Sequence, residues 1–117
     1  MRRSRQTVIK LFNKHVTKDK EGVPETIYIN GTPFVSEMWP AAGKLQVETY
    51  GDRVNNIFNV KVEGDYKVIS KDHHHEYIFD GFALAEGDGV ALFSDEPDYK
   101  VIAIKPYKSL LLEVERL

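Results

Sequence analysis

A chain of 117 residues that is 42% apolar and 29% charged has the composition of one globular domain with a single core, which excludes a disordered segment or a bundle of membrane spans. The absence of cysteine excludes a disulfide framework and thiolate zinc sites. The net charge of −2 conceals a segregation: residues 1–20 carry seven Lys/Arg against Asp19, a net of +6, and the remainder carries nine against seventeen acids, a net of −8.

The opening "MRRSRQTVIKLFNKH" places Arg2, Arg3 and Arg5 before an apolar stretch broken by Lys10, Asn13 and Lys14. That stretch is too short and too interrupted for a signal-peptide core, and no run in the chain matches the length of a bilayer, so a soluble, unexported protein with no membrane partner is expected. Residues 1–6 read as a basic arm, able to touch nucleic acid, to dock on the acidic surface of another copy, or simply to stay solvated. "QTVIKLFNKHV" then alternates as a strand, and "TKDKEGVP" is a charged turn with Gly22 and Pro24. In "ETIYINGTPFVSEMW" two strand-forming runs flank Asn30-Gly31, a pair that tolerates positive φ and predicts a hairpin.

"WPAAGKLQVETYGDRVNN" breaks the pattern. Leu45, Val47 and Thr49 alternate as a strand would, yet Gly51 at the end suits a helix closed by a left-handed residue. We expect a short helix at 43–50, an exposed polar loop at 51–56, and Trp39 beside Pro40 as a packing anchor where the chain leaves a strand. In "IFNVKVEGD", Phe58, Val60 and Val62 share one face, with Asn59, Lys61 and Glu63 on the other. "YKVIS", "EYIFDGFALAEGDG", "VALFS", "YKVIAIKPY" and "SLLLEVERL" follow, separated by polar "KDHHH" and acidic "DEPD"; Leu110, Leu112 and Val114 fall on one face, and Pro106 marks a strand end or edge. Strands every 8–12 residues with Gly or Pro turns predict an all-β fold: one domain over 1–117, a small β-barrel of about six to seven strands with one short helix near 43–50.

Sites of chemistry are scarce. "AAGK" lacks the first glycine and the hydroxyl of a phosphate loop, since Met38 and Leu45 occupy those places. His73 and His75 would share a strand face, but Glu76 would point away, and three loop histidines read best as a solvated turn. Glu86, Asp88, Asp95, Glu96 and Asp98 lack the alternation and closing glutamate of a calcium loop and are expected as acidic loop surface. No nucleophile elbow is present. A non-enzymatic protein without metal or cofactor is therefore expected. Tyr28, Trp39, Tyr50, Phe58, Tyr66, Tyr77 and Phe82 admit an oligonucleotide-binding barrel as the alternative, with Lys61, Lys67 and Lys71 lining its groove, but the acidic body disfavours a nucleic-acid face.

The passage from the aromatic and proline at 39–40 through Gly43-Lys44-x-Gln46-x-Glu48-x-Tyr50-Gly51-x-Arg53 to a polar loop and the strand "NVKVEG" resembles the head-completion proteins of long-tailed phages. These are head–tail stopper or adaptor proteins, and they include members from defective prophages of the PBSX type. The likeness runs from "TVIKLFNKHV" to "LLLEVERL" and is most specific over residues 39–60. The resemblance implies a structural barrel that forms a ring in the virion neck, between portal or adaptor and tail, assembled in the host cytoplasm. Double-stranded DNA would pass through without sequence-specific binding, and a channel-side loop would close the conduit. A tail-terminator ring protein is the neighbouring alternative. On this chain the channel or neighbour-contact loop would be Gly51, Asp52, Arg53, Val54, Asn55 and Asn56. Ring-interface candidates are Arg2, Arg3, Arg5, Lys44, Gln46, Glu48, Tyr50, Asp95, Glu96 and Asp98. Residues 73–76 and 86–98 would meet the rings above or below.

Overall fold

The computed structural model describes residues 6–71, 74–79 and 81–117, and all structural statements concern these. The elements in order are β1 (Gln6–Lys18), β2 (Pro24–Pro40), α1 (Lys44–Tyr50), β3 (Ile57–Val62), β4 (Lys67–Lys71), β5 (His74–Phe79), β6 (Phe82–Leu84), β7 (Gly89–Ala91), β8 (Tyr99–Pro106) and β9 (Leu110–Arg116). Six strands close into a barrel in the order β1-β2-β3-β9-β8-β7, while β4, β5 and β6 make a separate three-stranded sheet. Each pairing is antiparallel. Closure removes the free edges that an open sheet of these strands would expose. The small all-β barrel expected from strand spacing is the fold observed; the extra sheet is the addition.

Period-two alternation fills the barrel. Ile9 and Leu11 from β1, Val60 and Val62 from β3, and Leu110, Leu112 and Val114 from β9 are at most 1% exposed. The inward faces expected for β3 and β9 are the ones observed. Tyr77, Phe79, Phe82 and Leu84 of the small sheet join the same core cluster, where Phe34 of β2 packs edge-on against the Phe79 and Phe82 rings. Each fully buried Leu or Ile contributes about 2 kcal/mol of transfer free energy, so this shared core is the molecule's main source of stability. Pro106 ends β8, the strand-end position expected of a residue with no N–H to donate.

The Asn30-Gly31 hairpin is not formed. β2 runs straight through the pair, and the register with β1 steps from Leu11↔Thr32 to Asn13↔Ile29. Two residues therefore oppose the single Phe12, which is a bulge. Asn30 takes φ 63°, and a Cβ on Gly31 would lie 2.6 Å from the Phe12 ring. The bulge shifts the phase of β2: even-numbered residues such as Phe34 and Ser36 face inward on one side of it, and odd-numbered Ile27 and Ile29 share the continuation of that face on the other. The β1–β2 turn is the expected charged one, at "DKEGV", where the Asp19 carboxylate accepts the N–H groups of Glu21 and Val23, each at 2.9 Å. β1 pairs with β7 only over Lys10–Phe12, and β2 pairs with β3 only from Ser36 onward. Past Asn13 and Lys14, which hydrogen-bond to Ala83 and Asp88, the β1–β2 pair extends beyond the barrel as a two-stranded ribbon on which Val16, Val23 and Ile27 are exposed.

Candidate functional site

The stretch that sets this sequence apart folds as a strap on the outside of the barrel. Gly43 precedes α1 in extended geometry and offers no side chain to cap it, and Gly51 closes it at φ 57° with its N–H on the Val47 carbonyl. A seven-residue helix with no cap does not persist alone in water. It also does not stand on apolar packing: α1 buries none of its residues, and Leu45 and Val47 are 71% and 46% exposed. The following six residues, expected as an open polar loop, are wound into 3-10 turns, Gly51–Asn56, exposed except for half-buried Val54.

Polar side chains hold the strap down. Asn59 on β3 and Glu113 on β9 are cross-strand partners on the barrel's outer wall, and both are buried because Gln46 of α1 lies over them. The Gln46 Nε2 donates to Asn59 Oδ1 at 2.6 Å and to Glu113 Oε2 at 3.1 Å, and Asn59 Nδ2 donates back to Gln46 Oε1 at 3.2 Å. From β8, Lys105 Nζ stands 3.0 Å from Glu113 Oε1. The Tyr50 hydroxyl also faces the Glu113 carboxylate. One turn on, the Arg53 guanidinium grips Glu115 with two bonds of 2.8 Å while lying 5.5 Å over the Tyr50 ring.

The electrostatics follow from these contacts. Burial alone would raise the Glu113 pKa, but bonds from Lys105, Gln46 and Tyr50 and the Lys105 charge outweigh it and hold the carboxyl below its usual range. The bond from Arg53 does the same for Glu115. Burial, with the bond to Glu113 and that carboxylate's charge, pushes the Tyr50 phenol up to about 12. The result is a pair of ionised carboxylates clamped by donors, with no nucleophile among them. It can bind and release a segment of chain.

The expected site residues divide. Gln46 and Tyr50 are turned onto the barrel wall; Lys44, Glu48, Asp52, Asn55 and Asn56 are exposed along the strap. Asp95, Glu96 and Asp98 sit in the β7–β8 turn, joined to the strap by no hydrogen bond or ion pair among the described residues. Asp95 is fully exposed, 3.8 Å from Lys10 Nζ, whereas the Asp98 carboxylate is spent within the turn on the amides of Leu92 and Phe93, at 2.8 and 3.0 Å. Asp88 departs from the expected acidic loop surface: it is 6% exposed and accepts the Lys14 and Ala85 amides, both at 2.9 Å, tying β1 to the start of β7. Arg2, Arg3, Arg5 and His73 lie outside the described residues. His75 Nδ1 is 3.0 Å from Ser70 Oγ across the β4–β5 pair, and no group of three metal-ligating side chains occurs among the described residues. Trp39 is next to last in β2, where the chain leaves the strand, but keeps 37% exposure. Sequence reasoning missed Asn59, Lys105, Glu113 and Glu115, because a polar residue between two core residues on a strand reads as solvent-facing until a covering element is known.

Comparison with family models, curated proteins and solved structures gives no match for this chain.

Proposed function

We propose that this protein is a structural connector of a phage or phage-tail-like particle: copies form a ring in the neck that bridges or closes the path from capsid portal to tail. One observation carries the reading. The residues most specific to the head-completion resemblance, 39–60, contain the segment that folds as an exposed strap, fastened by polar bonds while Leu45 and Val47 face solvent. A strap with its apolar side outward is suited to being covered by a neighbour, and one held by hydrogen bonds and an exposed ion pair is suited to moving. Gly51–Asn56 rides on that strap and is the segment that would face the channel or the next subunit.

Further support comes from the charges. A closed ring needs two different complementary patches on each subunit, and a +6 amino-terminal portion on a −8 body supplies opposite potentials. Acidic channel walls repel phosphates, which lets duplex DNA slide without sticking. The test is cryo-electron microscopy of particles from cells with and without the gene. Neck density for a ring of this protein, and tailless heads that leak DNA in its absence, are the expected results. Normal particles with no such ring would sink the reading.

A further inference from the structure

Two surfaces unrelated to the strap's fastening are complementary to each other. The first is a groove of about 330 Å³ on the outer wall, lined by Trp39 of β2, Lys61 of β3, Leu111 of β9 and the β8–β9 turn residues Tyr107 and Lys108. Trp39 and Tyr107 are 37% and 63% exposed. The turn is fixed, since Tyr66 donates from its hydroxyl to the Tyr107 carbonyl. Neither Lys61 nor Lys108 has an ion pair among the described residues, although Glu37 stands opposite Lys61 across the β2–β3 pair. The groove is thus aromatic in its lining and cationic at its rim.

The second surface is the β7–β8 turn. Phe93 is 62% exposed, followed by Ser94, Asp95 and Glu96. Its backbone is clasped by Asp98, and its ring leans edge-on against Phe58 at 5.5 Å, so the aromatic is presented in a set position. A held aromatic loses little freedom on docking, and flanking acids match a lysine rim.

We infer that the Phe93-Ser94-Asp95-Glu96 turn of one copy seats in the Trp39–Tyr107 groove of a second copy, with the acids against Lys61 and Lys108. The contact uses a different patch on each partner and is therefore head-to-tail, the kind that closes into rings or extends into filaments. It deepens the connector reading by naming a subunit interface, but it stands on the two surfaces alone.

The absence of native cysteine makes the test direct. One preparation of the full chain carries Ser94→Cys and another, of different mass through a tag, carries Ser109→Cys at the groove. On mixing under oxidation in concentrated solution, the mixed disulfide is expected in clear excess over the Ser94→Cys and Ser70→Cys control mixture. Lys61→Glu with Lys108→Glu in the groove partner is expected to lower the initial cross-linking rate about tenfold, and Asp95→Lys with Glu96→Lys in the turn partner to restore it. Phe93→Ala is expected to weaken the contact roughly 30-fold, as for a central aromatic anchor. Mixed disulfide no greater than the control, or a charge exchange that fails to restore it, overturns the inference. A neck ring whose neighbours meet elsewhere would defeat this contact and spare the connector reading; the disulfide in solution without a neck ring would do the reverse.

Discussion

The two faces of the β3–β9 pair are built on opposite principles. Facing inward, Val60, Val62, Leu112 and Val114 are sealed from solvent within the main apolar core cluster. On the outward side of the same strands, Asn59 and Glu113 are nearly as buried, yet what covers them is Gln46 and Tyr50 of a strap with no buried residue. Apolar packing is non-directional and fails only when the barrel opens. Hydrogen bonds in the clamp are exchanged for water bonds at a net cost of about 1 kcal/mol each, so the strap can leave while the barrel stays. One pair of strands therefore carries a permanent frame on one side and a releasable element on the other.

The largest effect comes from cutting the frame. Leu112→Ala is expected to cost about 3–5 kcal/mol, because it leaves a cavity in a closed barrel that has little freedom to collapse. Denaturant unfolding checks it, and the loss should be a single transition in which barrel and small sheet melt together, since they share one core cluster. Next is the clamp. Glu113→Ala removes the shared partner of Gln46 and Lys105 and is expected to cost about 2 kcal/mol. Its signature is local: by hydrogen exchange, the Val47 and Gly51 amides that close α1 should lose protection while β3 and β9 amides keep theirs. Equal loss in both places would show that strap and frame are one unit and would end the contrast.

What the sequence made legible follows the same division. The inward faces of β3 and β9, the helix near 43–50 and its Gly51 stop were readable because apolar periodicity and a left-handed glycine are local signals. Asn30-Gly31 misled for a physical reason: positive φ serves a bulge as well as a hairpin, and only the distant Phe12 ring decides between them. The clamp was illegible because Gln46, Asn59 and Glu113 are separated by 13 and 67 residues and no local pattern joins them. Asp88 was hidden likewise, its amide partner Lys14 lying 74 residues away.

Acid should separate the two regions without mutation. The Glu113 and Glu115 carboxyls are held below their usual range, so the stability they give the strap is complete above the ordinary glutamate pKa and is lost as pH falls through their lowered folded values. Asp88 in the frame has the opposite sign: burial raises its pKa despite the bonds from Lys14, Ala85 and Asn13, so its contribution is present below the ordinary aspartate value and lost as pH rises through its folded one. Lowering pH should therefore open α1 before the barrel. Amide resonances of Val47 and Val60 followed by NMR report the two regions, and simultaneous loss of both would break the distinction. In alkali the Tyr50 phenol, pushed up to about 12, should ionise late and loosen the strap as pH passes that value.

The smallest effect is expected at Arg53, and its smallness is informative. Its two bonds to Glu115 have good fork geometry, but the guanidinium side chain is 57% exposed, so water and salt compete for it throughout. Arg53→Ala should leave the denaturation midpoint of the barrel almost unmoved. It should still speed proteolysis within Gly51–Asn56, since those 3-10 turns lose the Arg53–Glu115 tether while Glu113 continues to hold α1. Raising salt on the unaltered protein should produce part of the same increase through screening, and little further increase in the variant. That graded outcome places the tethers in series: an exposed ion pair that yields first, a buried carboxylate clamp that yields next, and a core that yields only on unfolding. A cleavage rate in the variant that matched the unaltered protein at every salt concentration would mean that Arg53 does not tether the turns, and the series would begin at Glu113.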